Sequence, residues 1–310
     1  ITAQLVDAQT GHHLWAERYD RDLKDIFALQ DEITMKIITG LQVKLIEGEQ
    51  ARLGAEQTNN LDAYLEVLQG REYFRRHNKE GNFLARRLAE KAISLDPKYG
   101  SAYVLLASTF FMEVQLGLSK SPRESIAKAM GLTQKALAIN DSSAWGHSLL
   151  GWLYTLTRQH DKGIAECERA IGLEPNSAQA HFYLGLVLRY SGRPGKAIAM
   201  YKQAIRLNPM PPSAYLQGLT NAYCMTGQYE EAITAGKRAV HLEPENMTAH
   251  AFLAVAYSLS GREEESRAEA AEVLRVNPKF LVQSWEKTMP FRKQADLALV
   301  IGALRKAGLK

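Results

Sequence analysis

AQAHFYLGLVLRYSGRPGKAIAMYKQAIRLNP, residues 178–209, decides the fold. It reads as two short helices and a turn. Leu184, Gly185 and Leu188 lie on the first helix, Ala197, Tyr201 and Ala204 on the second, and Pro209 closes the unit. The step can be counted on the prolines: Pro175 to Pro209 is 34 residues, Pro209 to Pro244 is 35, and Pro244 to Pro278 is 34. Asp141 takes the proline's place 34 residues before Pro175, and Pro97 lies 44 before Asp141, so one unit carries about ten extra residues. Small residues keep the same phase. Gly70, Ala107, Gly151, Gly185, Thr220 and Ala254 mark the first helices; Ala85, Ala129, Gly163, Ala197, Ala232 and Ser266 the second; Ala92, Ala136, Ala170, Ala204, Ala239 and Val273 its end.

Helix crossing explains why the series exist. Small side chains let two helices approach within the roughly 8–10 Å of a packed pair. Phe110, Tyr154, Leu188, Tyr223 and Tyr257 then fill the space beside each crossing. The terminal proline ends the second helix and restricts the residue before it, so the chain turns into the next unit. No unit can bury its apolar face alone; stacking does so, which predicts a solenoid. An ordinary helical bundle, the rival reading, needs no fixed step.

The pattern resembles the tetratricopeptide repeat, a helix-turn-helix unit of about 34 residues. The resemblance covers six units, at about 61–97, 100–141, 144–175, 178–209, 213–244 and 247–278. It implies an all-α fold: a right-handed α–α superhelix, here preceded by a short β-hairpin and one long helix.

Composition sets limits. Of 310 residues, 46% are hydrophobic and 23% charged, enough apolar material for a core, and no run of about 20 apolar residues is present to span a membrane. The net charge of +4, without a lysine-arginine stripe, argues against a nucleic-acid partner. Cys167 and Cys224 sit in different units and read as small buried thiols, which fits a reducing, cytoplasmic setting.

The ends depart from the repeat. ITAQLV and HHLWAERYD read as the strands of a hairpin, and residues 23–53 as a long amphipathic helix with Leu29, Ile33, Ile37, Leu41 and Leu45 on one stripe. His12 and His13 read as opposite faces of a strand rather than metal ligands, since no third ligand lies nearby. The run ITAQLVDAQTGHHLWAERYDRDLKDIFALQDEIT is similar to the end of a TolB-like domain, as found in bacterial multidomain regulators. That resemblance assigns residues 1–53 to such a domain and 54–60 to a joint. It implies an N-terminal effector outside this chain, which opens on Ile1 and reads as a fragment. The effector is a class III adenylate/guanylate cyclase domain in many such proteins and a winged-helix DNA-binding domain in others. A lone hairpin is marginal in water and leaves an open edge, so residues 1–20 are expected to pack on the array or pair with a second copy in a homodimer.

The extra residues of the second unit fall in MEVQLGLSKSPRES, read as a lengthened turn or a binding loop, with Ser121 capping and Pro122 opening the next helix. Residues 279–310 read as a connector holding Trp285 and a capping helix. Leu297, Ile301 and Leu304 line one face of that helix, and Arg292, Lys293, Arg305 and Lys306 the other.

No phosphate loop, dinucleotide fingerprint, paired-cysteine zinc pattern, HExxH or serine elbow is present, so no cofactor, metal or catalytic residue is expected. His147, His181 and His250 recur near helix starts without converging. The repeat resemblance places function on the inner curve lined by the first helices, where a partner protein or peptide docks. Counting along those helices brings Phe111, Met112, Ser148, Trp152, Phe182, Leu186, Arg189, Tyr190, Gln217, Asn221, Met225 and Val255 toward it. Some members of the family grip a terminal carboxylate with asparagines and lysines. Asn221 fits that pattern but the lysines are missing, so an apolar or aromatic segment is the expected occupant. For each aromatic the alternative is inter-repeat core.

Overall fold

The structure is a computed structural model that describes residues 2–6, 13–18, 58–208 and 210–310. The long helix expected at 23–53, the joint up to residue 57 and His12 lie outside the described residues. Two compact units divide the chain, 1–65 and 66–310. In the first, β1 (Thr2–Val6) and β2 (His13–Arg18) form an antiparallel hairpin pairing Thr2 with Arg18 and Gln4 with Ala16, with an irregularity between Leu5 and Val6.

The second unit is a solenoid of helical hairpins. α1 (Leu61–Arg75) crosses the unit boundary, and within the second unit its Gly70 lies against Ala85 and Leu88 of α2 (Lys79–Leu95). Then come α3 (Gly100–Gln115) with α4 (Pro122–Ile139), α5 (Ala144–Leu156) with α6 (His160–Leu173), and α7 (Ala178–Tyr190) with α8 (Pro194–Leu207). α9 (Ser213–Met225) with α10 (Tyr229–Leu242), and α11 (Met247–Leu259) with α12 (Glu263–Val276), complete the series. α13 (Val282–Thr288) and α14 (Gln294–Lys306) end the chain.

The in-phase small residues lie where helices touch. A Cβ on Gly151 would come within 2.5 Å of Cys167 Sγ and 2.7 Å of the Gly163 carbonyl, and one on Gly163 within 2.7 Å of the Gly151 carbonyl. α5 and α6 thus meet backbone to backbone. Ala85, Ala129, Ala197 and Ala232 are fully buried at the matching positions. Cys167 and Cys224 are buried free thiols, and burial pushes the Cys224 thiol up to about 12, far from a reactive thiolate.

The ten-residue excess of the second hairpin is shared. α3 and α4 run 16 and 18 residues against 13 and 14 for α5 and α6, and residues 116–121 make a turn twice the length of 157–159. Ser121 stands at the N-cap of α4 but accepts no capping hydrogen bond, contrary to expectation; Ser143, Ser177 and Asn246 do cap α5, α7 and α11. The turn inside each of the six hairpins contains one residue with positive φ: His77, Gly117, Arg158, Gly192, Gly227 and Gly261. At a non-glycine residue this conformation costs roughly 1–2 kcal/mol, so Arg158, at φ 66°, is a position where backbone comfort has been given up.

The histidines latch units together. His147 Nδ1 lies 2.6 Å from Glu166 Oε2 and its Nε2 2.9 Å from the Asp141 carbonyl; His250 repeats this with Glu269 at 2.6 Å and the Pro244 carbonyl at 2.8 Å. His181 reaches the Pro175 carbonyl at 2.9 Å, but its buried Nδ1 has no partner, because Met200 stands where the units of His147 and His250 have glutamate. Met200→Glu is therefore expected to stabilise the array by about 1 kcal/mol. Urea unfolding reads the gain; the account fails if an equal gain persists when His181 is replaced by leucine.

Candidate functional site

The first helices carry a ladder of aromatic rings. Phe111 on α3 meets Trp152 on α5 edge-on at 6.4 Å, and Trp152 meets Tyr190 on α7 at 5.5 Å. The next ring is not from a repeat. Phe291, between α13 and α14, sits 4.7 Å from Tyr190. Residues 289–293 thus return from the end of the solenoid to α5 and α7 as a strap, extended at Met289 and Lys293. Met289, Pro290 and Phe291 are buried; Arg292 and Lys293 are exposed.

The strap is held through its main chain. Arg158 Nη1 donates to the Phe291 carbonyl at 2.5 Å and Nη2 to the Met289 carbonyl at 3.0 Å. The Arg292 amide donates to the Tyr190 carbonyl at 2.8 Å, which is free because Tyr190 ends α7. The Arg292 guanidinium pairs with Asp161 at 2.7 Å and holds that carboxyl below its usual range. His160, next to Asp161, is held below the ordinary imidazole range by burial, with Arg292 and Arg158 adding to the effect.

Beside the ladder lies a buried cation. Arg189 is 2% exposed, and its Nη1 donates to Asn221 Oδ1 at 2.7 Å. Its guanidinium lies 4.0 Å from the Tyr190 ring centre and 5.6 Å from that of Phe252. Burial disfavours the charge, but Tyr190 and Tyr201 more than offset it, and the pKa is raised. Phe252 continues to Trp285 at 5.6 Å, and Trp285 to Phe280 at 5.5 Å.

Of the residues counted toward the inner curve, Phe111, Trp152, Tyr190, Arg189 and Asn221 come together here. Met112, Ser148 and Val255 are buried, and Leu186 and Met225 half-buried. Phe182 stacks on Tyr215 at 4.6 Å, and Gln217 donates to Ser213 on its own helix at 3.0 Å. Arg158, Asp161, Phe252 and the strap escaped the sequence reading. Arg292 and Lys293 lie on the strap, ahead of α14, rather than on the helix's polar face. A signal for Arg158 existed: 34 residues on, the same turn position is Gly192, and later Gly227 and Gly261. Among the described residues no group of three His, Cys, Asp or Glu side chains could hold a metal, and no helix is long and apolar enough to cross a membrane.

Tetratricopeptide-repeat family models match residues 147–177, 178–210 and 226–284. The solenoid is an array of tetratricopeptide repeats. Such arrays are in general non-catalytic scaffolds that bind protein or peptide partners. Among solved structures, the Cut9–Hcn1 hetero-tetramer of the APC/C matches with a TM-score of 0.60 at 17% identity, over 86% of this chain and 45% of that one. A thermophilic tetratricopeptide protein of Thermus thermophilus, TTC0263, matches at 0.50 and 20% identity, over 63% and 98%. PilF of Pseudomonas aeruginosa matches at 0.51 and 18% identity, over 71% and 93%. These likenesses carry the fold. A relative in sequence is putative adenylate cyclase 3 of Rhizobium meliloti (strain 1021), 36% identical over 165 residues. The match takes in 52% of this chain but spans only 28% of that relative's length.

Proposed function

We propose that this tetratricopeptide array is an interaction module of a larger signalling protein and receives a polypeptide segment on its inner curve between α5 and α7. One observation supports this reading: residues 289–293 of the chain itself pass across the ends of α5 and α7, held through two carbonyls and one amide and anchored by one aromatic ring. Main-chain hydrogen bonds with a pocketed side chain are a general mode of peptide recognition. Affinity capture with the full chain tests it. A specific partner is expected to be recovered at least fivefold less with Trp152→Ala, and undiminished with a remote exposed change, Lys128→Ala. Equal recovery of every partner with Trp152→Ala would count against the inner curve.

A second reading is favoured by the Rhizobium relative and by the resemblance of residues 1–34 to the end of a TolB-like domain: the array is the regulatory part of an adenylate/guanylate cyclase. Exchanging the matching region of that relative for this one tests it. Cyclic-nucleotide synthesis should keep its regulation; its loss would sink this reading and leave the first standing.

A further inference from the structure

We infer that residues 289–293 are a displaceable occupant of the inner curve, holding the place of a partner segment in which an aromatic residue is followed by an arginine or lysine. The inference rests on the reading above and names the partner's chemistry and its competitor.

Release of the strap uncovers Met289, Pro290 and Phe291, all buried, so a segment that replaces it must cover the same seat, but the flanking helices do not depend on it. α14 has its own anchorage, with Leu297, Val300, Ile301 and Leu304 buried, and the Val282 amide donates to the Lys310 carbonyl at 2.7 Å. Release of the strap between α13 and α14 therefore leaves both helices placed. Its seat, by contrast, is built for a guest. Arg158 holds a turn position that glycine fills in the next three units, and the strained backbone directs its guanidinium at two strap carbonyls. Among the six hairpin turns His77 and Arg158 alone keep a non-glycine residue at this strained position, and Arg158 is the one whose side chain reaches the strap. The neighbouring turn residue Gly192, at φ 76°, lies directly beneath the Lys293 side chain of the strap.

The contacts also define what the seat accepts. Arg158 and the Tyr190 carbonyl read main chain, which any extended segment supplies. Selection falls on two side chains: an aromatic ring against Tyr190, and a cation within reach of Asp161. The Arg292–Asp161 pair is exposed, and exposed pairs hold weakly, so the strap's outer half is where displacement starts.

The test uses the full chain and a fluorescent peptide of residues 286–295, EKTMPFRKQA, followed by anisotropy. Phe291→Ala with Arg292→Ala disarms the strap and should tighten peptide binding at least tenfold over the natural chain; adding Arg158→Gly should undo most of that gain. In parallel, Arg158→Gly alone should speed hydrogen exchange of the Arg292 amide at least tenfold while the amides of α5 and α7 stay protected. No gain on disarming, or an unchanged Arg292 amide in Arg158→Gly, overturns the inference. Should the disarmed chain fail to fold, the exchange measurement decides alone, since glycine at that turn is native to four other units. If the peptide binds as expected but the capture experiment finds no partner, displacement of the strap stands while the partner it makes way for falls with the proposed function; the reverse result sinks only the strap.

Discussion

Gly151→Ala is expected to destabilise the array by about 2–3 kcal/mol, whereas Gly131→Ala should stabilise it by roughly 0.5–1 kcal/mol. Both glycines lie inside helices, and in both the added methyl removes the entropic penalty of glycine. At Gly131 it meets nothing within 4 Å, so only the helical gain remains. At Gly151 it meets Cys167 Sγ at 2.5 Å, the Gly163 carbonyl at 2.7 Å and the Cys167 amide nitrogen at 3.3 Å. Two of those three atoms are backbone. They cannot swing aside, so α5 and α6 must part, and the contacts of Leu153, Ile164 and Val187 around the crossing loosen with them. Urea unfolding of the two variants checks the prediction. Shifts of the same sign would mean that backbone contact does not set the spacing of the hairpins.

That crossing was legible because it repeats. Gly151 and Gly163 belong to series that return in every unit, and a side chain small six times over in one phase has a geometric cause. The ladder was half legible for a related reason. Counting along first helices found Phe111, Trp152 and Tyr190, which stand at the inner end of successive units. It also swept in Phe182, which a helical count puts on the same side but which stacks on Tyr215 of the following unit. What the count could not reach was the strap. Residues 289–293 have no counterpart 34 positions earlier, and their place depends on where a non-repeating end of the chain comes to rest. Met289, Pro290 and Phe291 look like any connector until Arg158 is seen to grip them. Only Arg158 left a trace, an arginine where the register calls for glycine, visible by comparing units rather than reading along one.

Asn221→Leu is expected to cost about 2–4 kcal/mol, more than its own small side chain would suggest. The side chains are similar in size and Asn221 is fully buried, so packing changes little. The change falls on Arg189. Its Nη1 loses the acceptor at 2.7 Å, while its Nε has no partner even in the natural chain. The charge would then rest on the faces of Tyr190 and Phe252, each worth about 0.5–2 kcal/mol. Neutralisation is no escape, because an arginine does not give up its proton. The double variant Arg189→Met, Asn221→Leu separates this account from a packing one. Methionine keeps the stem against Tyr190 and removes the charge, so the pair should lie within about 1 kcal/mol of the natural chain, giving a coupling of opposite sign to the single cost. If the double variant is as unstable as Asn221→Leu alone, the asparagine is holding helices rather than a cation. A recovery would show that Asn221, the one residue that fitted a grip on a partner's carboxylate, serves the protein's own arginine instead.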